Sequence, residues 1–281
     1  MGEVQTEYLL GRPAPHVAPF VEHYVGYRLV GFPPGLHRGL PSRHMTLIVS
    51  IGDDIDVVAQ TDPSQTPSHY RCVVGGLQDS HALVAHDGNQ EGVEIELTPV
   101  GCRSLLGLPA AALWNLSLEL DDVIGSVATE LWERLQTVGS WRDRFAACDD
   151  VFGRLLGDQL VTAELQRSWE LLVASAGDVT VADIADDVGW SRQHLARRFK
   201  DEFGLSPKLA ARVVRFERAR RMLQASPPFV SIAQVAATCG YYDQAHLTRD
   251  FVELAGCPPG RLLVEEDVPS FQDPGDLIVA P

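Results

Sequence analysis

The stretch VADIADDVGWSRQHLARRFKDEFGLSP, residues 181–207, decides the fold because the chain contains it twice. The second copy, residues 232–259, reads IAQVAATCGYYDQAHLTRDFVELAGCPP. The residues shared by the two copies recur at an offset of 51 for Ala185 and Gly189, and of 52 for Leu195, Arg197, Phe199, Gly204 and Pro207. One extra residue therefore follows Gly240. Each copy has the pattern of two short helices joined by a turn.

The turn and its flanks follow from elementary sterics and hydrogen bonding. The small Ala185, buried with its neighbours, lets the second helix approach the first closely. Gly189 and Gly240 are placed at the turn, where we expect the positive φ that glycine adopts without steric cost. Ser191 and Asp243 are suitable N-caps for the helix that follows. The sequence therefore predicts two helix-turn-helix units.

The second helix of each unit has two faces. Leu195 and Phe199, four residues apart, are predicted to point inward, and Leu247 and Phe251 repeat the pattern. The outward residues are Gln193, Ala196 and Arg197 in the first unit and Ala245, Thr248 and Arg249 in the second. Such a set suits the major groove, because Arg pairs with guanine, Gln with adenine, and methyl groups contact thymine. Arg192, His194 and Arg198 flank the first face within reach of phosphates.

An amphipathic helix with an outward arginine is more often a solvated face than a DNA reader. The two copies share Gly, Leu, Arg, Phe, Gly and Pro at matching positions. This repetition favours the interpretation that the helices bind DNA. Residues 208–223, between the copies, are predicted to form a connecting helix. Its four outward arginines are expected to be Arg212, Arg215, Arg218 and Arg220.

Residues 179–263 resemble the DNA-binding domain of the AraC/XylS family of bacterial regulators, most specifically through AATCGYYDQAHLTRDF and GCPP in the second copy. The resemblance implies two helix-turn-helix modules joined by a long helix, each laying its second helix in a major groove. The base-reading positions it implies are Gln193, Ala196, Arg197, Gln244, Ala245, Thr248 and Arg249. The candidate DNA-binding residues are these seven together with Arg192, His194, Arg198 and His246. Val252 and Asp250 depart from the family pattern, where basic or small residues are usual, and we expect both to weaken phosphate contacts.

The first 110 residues read as β-rich. The predicted strands are 46–51, 71–76, 82–85 and 93–97, with frequent Gly and Pro between them. This pattern favours a small sandwich or barrel. LTPVGCRSLLGLP (97–109) and LELDDVIG (118–125) resemble the cupin-like N-terminal domains of actinobacterial members of the same family. From residue 126 the periodicity becomes helical, with predicted helices near 127–138, 141–156 and 165–173.

We therefore expect an α+β chain: an N-terminal β-rich cupin-like barrel with a helical linker, and a C-terminal all-α domain of two helix-turn-helix modules joined by a long helix. The predicted divisions are a sensor domain at 1–110, a helical linker and dimerisation region at 111–175, a DNA-binding domain at 176–264 and an acidic tail at 265–281.

Charge is unevenly distributed along the chain of 281 residues, which has a net charge of −15. Residues 161–264 contain 13 of the 23 Lys and Arg against 12 Asp and Glu, whereas the flanking segments are strongly acidic. The local balance, not the total, decides whether nucleic acid binds. No apolar run approaches the length of a membrane helix, and no signal peptide is recognisable, so we expect a cytoplasmic, nucleoid-associated protein.

Other candidate sites are weaker. Arg43 and His44 precede the best strand and are candidates for holding an anionic effector, although surface loop residues are the commoner alternative. The N-terminal histidines lack metal-ligand spacing, so neither a metal nor another cofactor is expected. Five scattered cysteines indicate reduced, mostly buried thiols. No hydrolase elbow, P-loop or dinucleotide motif occurs, which argues against an enzyme.

The expected function is sequence-specific DNA binding that regulates transcription, more often as an activator in this family. The expected partners are double-stranded DNA and RNA polymerase, with a small-molecule effector and a homodimer left open. The alternative is a cupin-like small-molecule-binding protein or enzyme whose helical half mediates protein contacts.

Overall fold

The computed structural model of the chain describes residues 4–225, 230–265 and 278–279. Ten of the described strands lie in its N-terminal part, and the eleventh lies near the C-terminal end. They are β1 Gln5–Gly11, β2 Val21–Val30, β3 Gly35–Gly39, β4 Met45–Ser50, β5 Ile55–Ala59, β6 Ser68–Tyr70, β7 Cys72–Gly75, β8 Ala82–His86, β9 Gln90–Leu97, β10 Ser117–Glu119 and β11 Ile278–Val279. The four predicted strands are confirmed as β4, β7, β8 and β9, with ends that differ by up to three residues.

Helices follow the β-rich part. They are α1 Gly101–Leu106, α2 Asp121–Ile124, α3 Ser126–Thr137, α4 Trp141–Leu155, α5 Ala163–Ala174, α6 Val181–Asp187, α7 Arg192–Phe203, α8 Pro207–Ala225, α9 Ile232–Thr238, α10 Gln244–Ala255 and α11 Pro259–Glu265. A 3-10 helix, Ala110–Leu113, precedes β10. The three predicted linker helices are confirmed as α3, α4 and α5, and the connecting helix as α8.

The strands form two sheets. One has the order β10-β7-β4-β9-β2-β1-β11 and the other β3-β8-β5-β6, and their pairs are antiparallel except for β1 with β11. Among the described residues no strand of one sheet is hydrogen-bonded to the other. The sequence left a sandwich or a barrel open, and the β-rich part is a pair of unclosed sheets that are largely antiparallel.

Both faces of the larger sheet are covered, which explains why β9 is buried along most of its length. Val93 and Ile95 belong to one buried cluster with residues of α3 and α4, such as Leu131 and Phe152. Ile48, on the other face, packs with residues of the smaller sheet. The alternate residues of β9 point into this second face, so Glu94 and Glu96 are also buried.

The helix-turn-helix units pack onto the β-rich part through two apolar clusters. The first cluster runs from the larger sheet through Trp169 of α5 to Leu195 and Phe199 of α7. The second contains the core of α8 to α11 together with Leu40, which lies between β3 and β4. Each unit therefore shares a core with N-terminal residues.

Three further expectations concern the whole chain. The five cysteines are free and buried, as predicted. The predicted acidic tail, 265–281, lies outside the described residues except for Glu265 and 278–279. No described helix is both long enough and apolar enough to cross a membrane.

Candidate nucleic-acid interface

The first unit consists of α6, a turn and α7. Gly189 in the turn has a φ of +70°, the left-handed conformation expected from the sequence. Ser191 caps α7, because its side chain accepts a hydrogen bond from the His194 backbone N–H at 3.2 Å. Leu195 and Phe199 are fully buried, which confirms the predicted inward face.

The other face of α7 is open to solvent. Arg192, Gln193, Arg197 and Arg198 are exposed, whereas His194 and Ala196 are half-buried. The His194 ring meets the Trp190 ring edge-on, with 4.7 Å between their centroids. The exposed face therefore combines three arginines with one amide.

The second unit repeats this geometry in α9 and α10. Gly240 has a φ of +74°. The side chain of Asp243 accepts a hydrogen bond from the His246 backbone N–H at 2.7 Å and so caps α10. Leu247 and Phe251 are buried as predicted. The outward residues are Gln244, Ala245 and Arg249, which are exposed, and His246 and Thr248, which are half-buried.

The arginines on the two open faces are distinguished by what surrounds them. Within the part of the chain that the structure describes, Arg192, Arg197, Arg198 and Arg249 have no carboxylate partner. Most arginines of the N-terminal part, in contrast, form ion pairs, such as Arg134 with Asp150 at 2.8 Å. Uncompensated cations on an exposed helix are what a phosphate-rich partner requires.

Two charged residues near this interface lie inside the molecule, and for Arg220 this contradicts the expectation. Asp250 does not face outward: it is 5% exposed and accepts a hydrogen bond from Nε of Arg212 at 2.8 Å. This bond joins α8 to α10, and the effect of Asp250 on phosphate contacts stays a prediction. Arg220, expected outside, is 2% exposed, and its charge acts on the buried Glu94. Val252 is 46% exposed.

Arg43 and His44 lie elsewhere, where the larger sheet meets α8. Arg43 donates to Glu22 at 2.7 Å and pairs with Glu217 at 3.6 Å. His44 lies beside Glu22 and, at 3.5 Å, Glu96. Burial raises the pKa of Glu22, but hydrogen bonds and charge from His44 and Arg43 outweigh burial and hold this pKa well below its ordinary range. Arg43 and His44 were predicted to hold an anionic effector. In the structure they are already paired with three carboxylates of the chain itself.

The space between the two sheets has a different chemistry. Two adjoining cavities share His37, Ile48, Ile55 and Val84 in their walls. Burial, followed by the neighbouring His86, lowers the pKa of His37 to about 4, so this ring is neutral at pH 7. Nothing in the local sequence distinguishes His37 from the other histidines, because its burial depends on the facing sheet. No metal-binding group of side chains occurs in the described ranges.

Comparison with known families identifies the helical units. A family model described as a helix-turn-helix domain matches residues 184–264. The HTH-type transcriptional activator RhaS of Escherichia coli O6:H1 is 26% identical over 196 residues, which cover 69% of this chain and 57% of RhaS. The uncharacterized HTH-type transcriptional regulator YbfI of Bacillus subtilis is 31% identical over 72 residues, 26% of this chain and 25% of YbfI. The chain thus spans little more than half the length of the RhaS relatives that it matches.

A solved structure shares the fold over nearly the whole chain. It is ToxT from Vibrio cholerae bound to (E)-4-(8-methylnaphthalen-1-yl)but-3-enoic acid, with 14% sequence identity and a TM-score of 0.50. The match covers 94% of this chain and 99% of the ToxT chain. The arrangement of a β-rich part before two helix-turn-helix units is therefore an established fold.

Proposed function

The chain belongs to the AraC/XylS family through its helix-turn-helix domain, and from this premise we propose that it binds specific DNA sites and regulates transcription from them. One observation carries the proposal. Arg197 and Arg249 occupy matching positions on two capped helices, and both are exposed with no carboxylate partner among the described residues. The relatives named above are also transcriptional regulators.

Each open face has side chains for direct readout of bases. Arg197 and Arg249 are suited to a bidentate contact with guanine, and Gln193 and Gln244 to one with adenine. The methyl groups of Ala196, Ala245 and Thr248 suit the methyl group of thymine. Four residues flank the faces and are suited to contact the phosphate backbone of DNA, which would position each helix in its groove. They are Arg192, His194, Arg198 and His246.

The acidic N-terminal part shapes how DNA is approached. Much of the chain carries the same sign of charge as the phosphates, so we expect the two arginine-bearing faces to be the main sites that attract a duplex. Affinity should fall steeply as salt rises, because each arginine that neutralises a phosphate releases a counterion.

Partners beyond DNA follow from this role. We infer that the bound chain contacts RNA polymerase, more often to activate than to repress, in the nucleoid of the cytoplasm. The cavity between the sheets, with its apolar walls and neutral His37, is where we place an effector, and an uncharged one fits better than an anion. Helices α3 to α5, within the predicted linker 111–175, are where we place a homodimer contact.

The proposal is tested with a duplex selected by the full chain from a random-sequence pool. Arg197→Ala and Arg249→Ala should each weaken binding to this duplex by about 1–3 kcal/mol and relax the preference at one base pair. Arg12→Ala is the matched control. Arg12 is also exposed, but it directly follows β1 in the N-terminal part and belongs to neither helix-turn-helix unit. Gel shifts at several salt concentrations give the affinities. Equal affinities for all three variants would overturn the assigned faces.

A further inference from the structure

We propose that the N-terminal part clamps both helix-turn-helix units from behind and thereby sets the spacing of DNA half-sites that the chain accepts. The inference rests on the proposed function and deepens it. In this arrangement α8 does not position the two reading faces alone: side chains before residue 115 fix each unit separately. Arg103 is the positioning residue for the first unit, and the segment around Leu40 positions the second.

The first anchor joins α1 to α7. Nε of Arg103 donates to both carboxylate oxygens of Glu202, at 2.7 and 2.9 Å. The Glu202 side chain is only 9% exposed, and that of Arg103 is 29% exposed. Trp114 adds an apolar contact at the end of α7, where a Cβ on Gly204 would lie 2.7 Å from the Cβ of Trp114. One N–H is shared by both oxygens, and such a charge-assisted hydrogen bond, largely shielded from water, is stronger than one between neutral groups.

This anchor leaves the reading face free. Glu202 follows Gln193 by nine residues, which is about two and a half turns of an α-helix, so the two side chains point in opposite directions. Arg197 is on the same side as Gln193 and is exposed. The N-terminal part therefore holds α7 from behind, which rules out a contact that masks the face.

The second anchor holds α8 and the unit that follows it. Leu40 is 4% exposed and belongs to the same buried cluster as Phe216 of α8 and Phe251 of α10. Close by, the Arg43 backbone N–H donates to Glu217 of α8 at 3.0 Å. The His81 ring lies so close to Gly256, just after α10, that a Cβ there would come within 2.2 Å of it.

The two anchors restrict each other because they belong to one β-rich body. α8 has 19 residues and is about 28 Å long, so a small change in its packing would displace one face considerably relative to the other. Turning the first unit relative to the second would either separate Arg103 from Glu202 or withdraw Leu40 from its cluster. The distance and angle between the two faces are thus fixed before DNA binds. Only one spacing of the two half-sites matches this fixed arrangement.

The test uses the full chain and the duplex that it selects from a random-sequence pool, together with derivatives that carry one base pair more or fewer between the half-sites. For the wild type we expect each derivative to bind about tenfold or more weakly, as when one half-site is mispaired. Arg103→Ala lies outside both units, yet it should reduce this discrimination to about threefold or less. A merely structural role would lower all the affinities together and leave their ratio unchanged.

Two further variants sharpen the test. Arg154→Ala removes an arginine of α4 whose ion-pair partner, Glu130, lies on α3 and outside both units, and it should keep the wild-type ratio. Combining Arg103→Glu with Glu202→Arg restores the pair in reverse and should restore discrimination. An unchanged ratio in Arg103→Ala, or tighter binding to every spacing, would overturn the clamp alone. Failure of the wild type to select any duplex would overturn the proposed function and the clamp with it.

Discussion

Arg197 and Arg249 are exposed and carry no carboxylate partner among the described residues, because nearby acidic side chains bind other groups. In α10 the neighbouring Asp250 turns inward and binds Arg212, so its carboxylate does not compete for Arg249. The inward and outward positions of α7 and α10 were predictable, since four-residue spacing of Leu and Phe defines a buried stripe. The inward turn of Asp250 was not predictable, because its partner lies 38 residues away on another helix.

The pair of Asp250 with Arg212 offers a prediction at this scale. Asp250→Ala should lower the free energy of unfolding by about 1–3 kcal/mol, because the charged hydrogen bond between the buried Asp250 and the half-buried Arg212 is lost. Glu253→Ala is the control: Glu253 pairs with the same Arg212, but its side chain is 61% exposed, so its loss should cost about 0–1 kcal/mol. Urea unfolding measures both. An equal loss of unfolding free energy in the two variants would contradict the prediction. It would show that burial does not make the Asp250–Arg212 pair stronger than the Glu253–Arg212 pair.

At the scale of elements, the two helix-turn-helix units were the most predictable part of the chain. Their turn glycines, caps and apolar stripes all agree with one another, and such local agreement identifies an element without tertiary information. β1 to β3 were not predicted from the sequence. In β2 both faces are largely buried, so the strand lacks the alternation of apolar and polar residues that marks a half-exposed strand. Helix α1 has only six residues, too few to show a helical period.

The positive φ of the glycines at helix ends leads to a second prediction. Gly189→Ala should cost about 1–2 kcal/mol of stability, since alanine must adopt the left-handed conformation but meets no atom within 4 Å. Gly204→Ala should cost more, because its new Cβ would also press on Trp114 and on Ala111 at 3.2 Å. Thermal or urea unfolding of the two variants gives the comparison. If Gly189→Ala were the more damaging, the packing of α7 against the 3-10 helix would be contradicted.

At the scale of the whole molecule, the two helix-turn-helix units share their apolar cores with an acidic N-terminal part. The sequence predicted the order of the β-rich and helical parts and a sandwich or barrel for the first of them, but it did not predict the contacts between the parts. Arg103 and Glu202 are 99 residues apart, and no local pattern marks them as partners. Contacts of this kind depend on how two folded parts pack against each other. The periodicity of a single segment carries no information about that packing.

The most direct test of the account is methylation interference on the selected duplex, with the wild type and two variants. Methylation of guanine N7 blocks the acceptor that an arginine fork uses. The wild type should show interference in two half-sites about 10–10.5 base pairs apart; Arg197→Ala should erase it in one half-site only, and Arg249→Ala in the other. If both variants erased the same guanines, or neither erased any, two helices reading two successive major grooves would be contradicted.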